Sequence, residues 1–225
     1  SAEVQGAADA LDEMDETLKM LRSSLTAIEH DESSPSIAAL RADVNQYARH
    51  IRDQRRLLDS FVHRMTDATT VHEGIHQLAF QTHLQSPELT YPLWLSEGLA
   101  TAFETDQTAS SFGPHREFDP RRTRFQELLN HGKLLDLERL WSITSVTTLT
   151  PDEIDVLYHQ SYAFFQWLWQ KRPDDLRRLF VALRSASQDN VVATVHRVLG
   201  SPEMVQSAFL KSQSTPLNSA VAHSR

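Results

Sequence analysis

The 225-residue chain contains no cysteine, which excludes disulfide bonds and metal sites built from thiolates. Any metal ion would have to be bound by His, Asp or Glu side chains. Apolar runs stay well short of the roughly 20 residues that cross a bilayer, so we expect no membrane span in this chain. Basic residues are dispersed among acidic ones and the net charge is −8, so the concentrated positive field that binds nucleic acid is also missing. With 40 % apolar residues, the chain can bury a globular core.

The amino-terminal residues 1–20 are acidic and lack the basic start and apolar centre of a signal peptide. Because the chain begins at Ser1 rather than Met, we expect that an upstream segment, either a targeting signal or a further domain, has been removed. A bacterial secreted or cell-envelope location is the corresponding expectation.

Two heptad patterns predict an antiparallel helical hairpin in residues 1–63. Apolar residues recur at alternating steps of three and four, first over residues 11–28 and again over residues 37–61. Between the two patterns, Ser34 is a plausible N-cap and Pro35 suits the first helical position. The first helix is acidic and the second is rich in Arg, so their flanks attract each other modestly. We expect a packed hairpin, with self-association or partner binding through it as the alternative.

The remaining residues, 64–225, keep a helical spacing of apolar residues and show hardly any strand alternation. A Thr-Pro-Asp-Glu sequence at residues 150–153 is a good helix start, and residues 105–120 predict a connection containing Gly and Pro. Helices are expected near residues 69–84, 92–106, 120–131, 152–171, 174–186, 189–198 and 202–212. The predicted fold class is therefore mainly α, with the hairpin followed by a helical bundle and little or no sheet.

A metal-binding pattern lies in the segment TTVHEGIHQLAF, residues 69–80. His72 and His76 are four residues apart, so on a helix both imidazoles project to the same side and can bind one cation. Glu73 lies about 100° round the helix from His72, too far to join that chelate but near enough to reach a water molecule at the metal. A lone HExxH pattern also arises by chance, so the neighbouring sequence has to show whether this one is a metal site.

The context is a second helix, YPLWLSEGLATAFE, residues 91–104. Glu97 lies in an apolar stretch, where an unpaired buried charge is costly and a cation would compensate it. Two histidines and one carboxylate leave a coordination position open for water, as in hydrolytic zinc sites. Glu104 lies two turns further on and can accept a hydrogen bond from a ligand imidazole, with Thr101 as the competing candidate. The alternative for both glutamates is a pair of solvated carboxylates at a helix edge.

The two segments together resemble a known family. HEGIH followed 21 residues later by Glu97 of WLSEGLATAFE is similar to the gluzincin metallopeptidases, the clan of thermolysin and aminopeptidase N. WLSEGLA with Glu104 is especially similar to the aminopeptidase N type and to the peptidase-MA-like bacterial families of unknown function. YHQSYAFFQWL, residues 158–168, is similar to the segment that presents a tyrosine to the zinc site. The resemblance covers residues 69 to about 210.

This resemblance implies a gluzincin-like bundle that hydrolyses peptide bonds in a peptide or protein substrate. The implied roles are one zinc ion bound by His72, His76 and Glu97, a general base at Glu73, and an oxyanion-stabilising hydroxyl at Tyr158. Tyr162 and His159 compete with Tyr158 for the last role. Gluzincins hold an extended substrate on an edge strand that precedes the HExxH helix in the sequence, whereas in this chain we expect a helical hairpin before that helix. The alternative function is a catalytically silent zinc-binding module whose hairpin binds a partner.

Overall fold

The computed structural model describes residues 2–28, 35–106 and 112–213, and every regular element in these ranges is helical. The predicted mainly α fold class is therefore confirmed. The α-helices of these ranges are α1 (Ala2–Ile28), α2 (Pro35–Gln81), α3 (Leu93–Thr101), α4 (Asp119–Asn130), α5 (Leu137–Ser142), α6 (Pro151–Lys171), α7 (Pro173–Leu183), α8 (Val191–Leu199) and α9 (Pro202–Gln213). None of the helices so described is both long and apolar enough to cross a membrane.

Helix α2 differs from the sequence prediction, because it continues through residues 63–69, where a break between two helices was expected. This segment contains neither Gly nor Pro, so nothing in it ends the helix. Pro35 occupies the first position of α2, as predicted, while Ser34 lies outside the described residues. The two predicted helices are thus one helix of 47 residues.

Contacts divide the chain into two units after Thr66, a point within α2. In the first unit, α1 and the beginning of α2 form the hairpin. Its buried core is made by Leu11, Leu18, Val44, Ala48 and Ile51. Arg55 of α2 lies 2.9 Å from carboxylate oxygens of both Asp12 and Asp15 of α1. Leu21, Leu40 and Phe61 of the predicted stripe remain at least 40 % exposed, so the apolar contact is narrower than the heptad pattern indicated.

The core of the second unit is a group of buried aromatic rings. The Trp94 ring of α3 lies 5.0 Å from Phe164 of α6, and Trp141 of α5 lies 6.2 Å from the same ring. Phe209 of α9 contacts Phe164 at 5.4 Å between centroids. Large aromatic side chains contribute much of the apolar area that stabilises a core. These contacts fix α3 against α6.

A glycine allows α3 and α6 to cross closely. A Cβ atom at Gly98 would lie 2.8 Å from the carbonyl oxygen of Ser161 and 3.0 Å from Cβ of Phe165, so no larger residue fits without a shift. Gly98 follows Glu97 directly, and Ser161 lies one turn after Tyr158 on α6. The close crossing therefore brings the candidate ligand and the candidate tyrosine to the same region.

Helix α6 begins at Pro151, within one residue of the predicted position, and its start is capped by side chains. The Thr150 hydroxyl accepts a hydrogen bond from the Glu153 backbone N–H, and the Glu153 carboxylate accepts one from the Thr150 backbone N–H. This capping box satisfies two backbone donors that a helix start leaves unpaired. By contrast, the short helix α5 was not predicted, and α3 ends at Thr101 instead of continuing to residue 106.

Candidate metal centre

Three side chains of the second unit converge on one point. His72 and His76 come from α2 and Glu97 from α3, and one ligand atom of each lies within 4.8 Å of the others. The two histidine Nε2 atoms are 3.1 Å apart. Glu97 Oε2 lies 3.2 Å from Nε2 of His72, and Oε1 lies 3.7 Å from Nε2 of His76. Within the described ranges, this is the only group of three such side chains that can hold a metal ion.

The arrangement of donors and acceptors fits a cation at this point. His72 Nδ1 lies 2.9 Å from the Glu104 carboxylate, which can only accept, so Nδ1 carries a hydrogen. When His72 carries no second proton, as would be the case with a metal ion bound, the lone pair of Nε2 points towards Glu97 and His76. Glu97 Oε2 is buried, and beside an unprotonated Nε2 of His72 it accepts no hydrogen bond, a costly state for a carboxylate oxygen. A divalent ion between these atoms would satisfy all of them.

Glu104 is the carboxylate that orients His72. Arg121 of α4 donates to it through Nε at 2.7 Å and through Nη2 at 2.8 Å, one bond to each oxygen. Such two-point contacts are among the strongest hydrogen bonds between side chains. The competing candidate Thr101 instead donates its hydroxyl to the carbonyl of Glu97 on its own helix, at 2.6 Å.

The histidines and carboxylates of the site stabilise each other's charged forms. Burial alone would lower the pKa of His72, but the carboxylates of Glu104 and Glu97 raise it to about 9. Burial would raise the pKa of Glu97, but His72 and His76 lower it to about 2. The pKa of Glu104 is also held below its usual range, against the effect of burial, by His72 and Arg121. Both carboxylates are therefore ionised at neutral pH, and a proton and a metal ion would compete for the same site.

Tyr158 of α6 lies beside this cluster. The guanidinium carbon of Arg121 is 5.8 Å from the centroid of the Tyr158 ring. Burial, and then the charge of Glu97, raise the pKa of the Tyr158 hydroxyl, and Glu73 adds to this effect. The hydroxyl is therefore a protonated donor at neutral pH. Glu73, one residue after His72, has an exposed side chain and is not one of the three candidate ligands.

The competing residues on α6 have other contacts. The Tyr162 ring is buried, and its hydroxyl oxygen accepts the backbone N–H of Phe118 at 2.8 Å. His159 Nδ1 lies 2.7 Å from the backbone carbonyl of Asp155 on its own helix. These bonds connect both residues to the backbone, whereas no such bond is found for Tyr158 in the described part of the chain.

Arg121 is the residue of this site that the sequence did not reveal. It lies in the first turn of α4 within a stretch that also contains Arg122 and Arg124, so nothing local distinguishes it from them. Only the fold brings it to Glu104, 17 residues earlier in the chain.

Comparison with known proteins gives one match. A family described as a protein of unknown function (DUF1570) matches residues 66–192, more than half of the 225 residues. This range contains all the candidate site residues described above. No curated protein and no solved structure matches the chain.

Proposed function

Because the chain belongs to the DUF1570 family, whose function is unknown, we propose its function from the site itself: a zinc-dependent hydrolase, a gluzincin-type metallopeptidase that cleaves peptide bonds. The observation that supports this most is the convergence of His72, His76 and Glu97, with Glu104 bonded to the far nitrogen of His72. A carboxylate behind a ligand histidine is a recurring feature of zinc sites.

The number of ligands favours a hydrolytic site over a structural one. Structural zinc sites are closed by four protein ligands, while catalytic sites use three and keep one position open. The described residues offer two imidazoles and one carboxylate, which is the ligand set of several zinc peptidases. A zinc ion held there would polarise a carbonyl group and acidify a water molecule.

The neighbouring side chains supply the remaining functions. The Glu73 carboxylate, next to His72 in the chain, takes a proton from the attacking water and passes it to the leaving amine. Tyr158 keeps its proton, because its pKa is raised by burial and by Glu97, and it donates a hydrogen bond to the oxyanion as negative charge develops. Glu104 fixes the tautomer of His72.

Metal content is the first test. Protein purified without chelators should contain about one zinc ion per chain, and His76→Ala should lose most of it while remaining helical by circular dichroism. Less than about 0.1 zinc per chain, given the tight binding usual for such sites, would contradict the proposal.

Peptide hydrolysis is the second test. The described residues form no strand whose edge could hold an extended substrate, so the assay uses a mixed library of peptides instead of one chosen sequence. Glu73→Gln should keep the zinc and reduce cleavage at least about 100-fold, while the exposed Glu88→Gln serves as the matched control. Full cleavage by Glu73→Gln would refute the role of general base. Stoichiometric zinc without hydrolysis by the wild type would favour the silent zinc-binding module instead.

A further inference from the structure

Glu104 needs support from outside its own helix. The sequence places it two turns after Glu97, but α3 ends at Thr101, so Glu104 lies beyond the regular helix. Its backbone N–H makes only a turn contact of 3.2 Å with the Thr101 carbonyl. Even so, its side chain is just 5 % exposed and lies 2.9 Å from His72 Nδ1. A carboxylate that orients a metal ligand is useful only if it is itself held in place.

Arg121 provides that support. Its Nε and Nη2 atoms contact both oxygens of Glu104, which fixes the plane of the carboxylate as well as its position. Arg121 belongs to α4, and its guanidinium also lies over the ring of Tyr158 on α6. One side chain therefore connects the carboxylate behind His72 with the tyrosine beside the site.

We propose that Arg121 is a positioning residue: its two hydrogen bonds hold Glu104 in the orientation in which His72 presents Nε2 to the metal ion. This inference rests on the proposed metal site and adds to it a residue from a separate helix. Among the described residues, Arg121 forms its hydrogen bonds and ion pair with Glu104 and none with the three candidate ligands, so we assign it an effect through Glu104.

Removal of the Arg121 guanidinium should change the metal affinity in opposite directions, depending on whether Arg121 positions Glu104 or acts only through its charge. Removal of a positive charge close to the site would by itself strengthen the binding of a cation. Loss of the two hydrogen bonds would weaken binding, because Glu104 could turn away and leave His72 free to rotate. A weaker site in a variant without the guanidinium therefore cannot result from the lost charge.

The test compares three variants of the full chain. Arg121→Met removes the guanidinium, and Arg121→Lys keeps the charge but offers no planar pair of donors. Arg124→Met is the matched control, since Arg124 lies on the same helix and binds Asp155 through Nε and Nη2, away from the candidate ligands. Zinc affinity is measured by competition with a chromophoric chelator, and Co²⁺ absorption reports the geometry of the ligands.

We expect Arg121→Met to bind zinc about 10-fold more weakly, the lower end of the range for residues behind metal ligands, and to change the Co²⁺ spectrum. Arg121→Lys should also bind more weakly than the wild type, while Arg124→Met should match it in both measurements. Unchanged or tighter binding by Arg121→Met, wild-type behaviour of Arg121→Lys, or an equal loss in Arg124→Met would overturn the inference. If Arg121→Met does not fold, the zinc affinity and Co²⁺ spectrum of Arg121→Lys alone test the inference. A wild type that binds neither metal would instead refute the proposed function.

Discussion

The close crossing of α3 and α6 predicts that one added methyl group at Gly98 destabilises the protein. In Gly98→Ala, the new Cβ would lie 2.8 Å from the Ser161 carbonyl oxygen and 3.0 Å from Cβ of Phe165. Neither atom is the end of a flexible side chain, so one helix has to move. Overpacking of this kind costs about 1–3 kcal/mol, and the higher helix propensity of Ala returns up to about 1 kcal/mol. We expect a net loss of about 1–2 kcal/mol in the free energy of unfolding.

Gly74 provides the matched control for this prediction. It lies within α2, in the HEGIH segment, and an added Cβ there meets no atom within 4 Å. Gly74→Ala should therefore stabilise the protein, by about 0.5–1 kcal/mol, because Gly is unfavourable inside a helix. The same substitution thus has opposite expected effects at two positions in the candidate site.

Guanidinium denaturation followed by circular dichroism measures both changes through the transition midpoint, provided that the slope m is unchanged. Zinc affinity adds a second measurement, since a shift of α3 moves Glu97 relative to the histidines. The zinc affinity should fall in Gly98→Ala and stay constant in Gly74→Ala. A Gly98→Ala variant as stable as the wild type, with the same zinc affinity, would refute the reasoning from the helix crossing.

Three further predictions concern single side chains. Tyr162→Phe leaves the Phe118 backbone N–H without its acceptor and should lower the free energy of unfolding by about 1–3 kcal/mol, measured by denaturation at neutral pH with zinc content unchanged. Tyr158→Phe should keep the stability of the wild type but reduce peptide hydrolysis by about 10²–10³-fold in a steady-state assay; an unchanged rate would exclude it as oxyanion donor. Despite burial, hydrogen bonds from two neighbouring arginines hold the pKa of Asp175 below its usual range, so this stabilisation is present at neutral pH and is lost as the pH falls below about 4. Asp175→Asn should therefore lose less stability than the wild type between pH 5 and pH 2, as followed by urea midpoints.

A local sequence pattern could identify site residues whose signal lies within a single helix or segment. His72 and His76 project together because their spacing matches the helical repeat, and the structure brings their Nε2 atoms to 3.1 Å. Glu97 could be selected because a carboxylate in an apolar segment needs a partner. Glu104 also lies at His72, but it does so from beyond the end of α3, not from the helix face that its spacing indicated.

Helix ends were harder to predict than helix faces. The apolar spacing of α3 continues past Thr101, so periodicity alone gave no signal for its end. In α2, separate helices were expected on either side of residues 63–69, although without Gly or Pro the backbone continues as one helix. Where the sequence contains side-chain caps, as at Thr150 and Glu153, the predicted and observed helix starts agree closely.

Contacts between helices explain why the rest of the site could not be predicted. Gly98 has no special backbone conformation, and its importance comes only from the Ser161 carbonyl on another helix. Arg121 likewise resembles its neighbours in sequence and differs from them only in reaching Glu104. Both residues act between elements: one sets the distance from α3 to α6, and the other connects α4 to the turn after α3. The sequence thus identifies the atoms that can bind a metal ion, whereas the packing of α3, α4 and α6 determines whether they are held in a binding geometry.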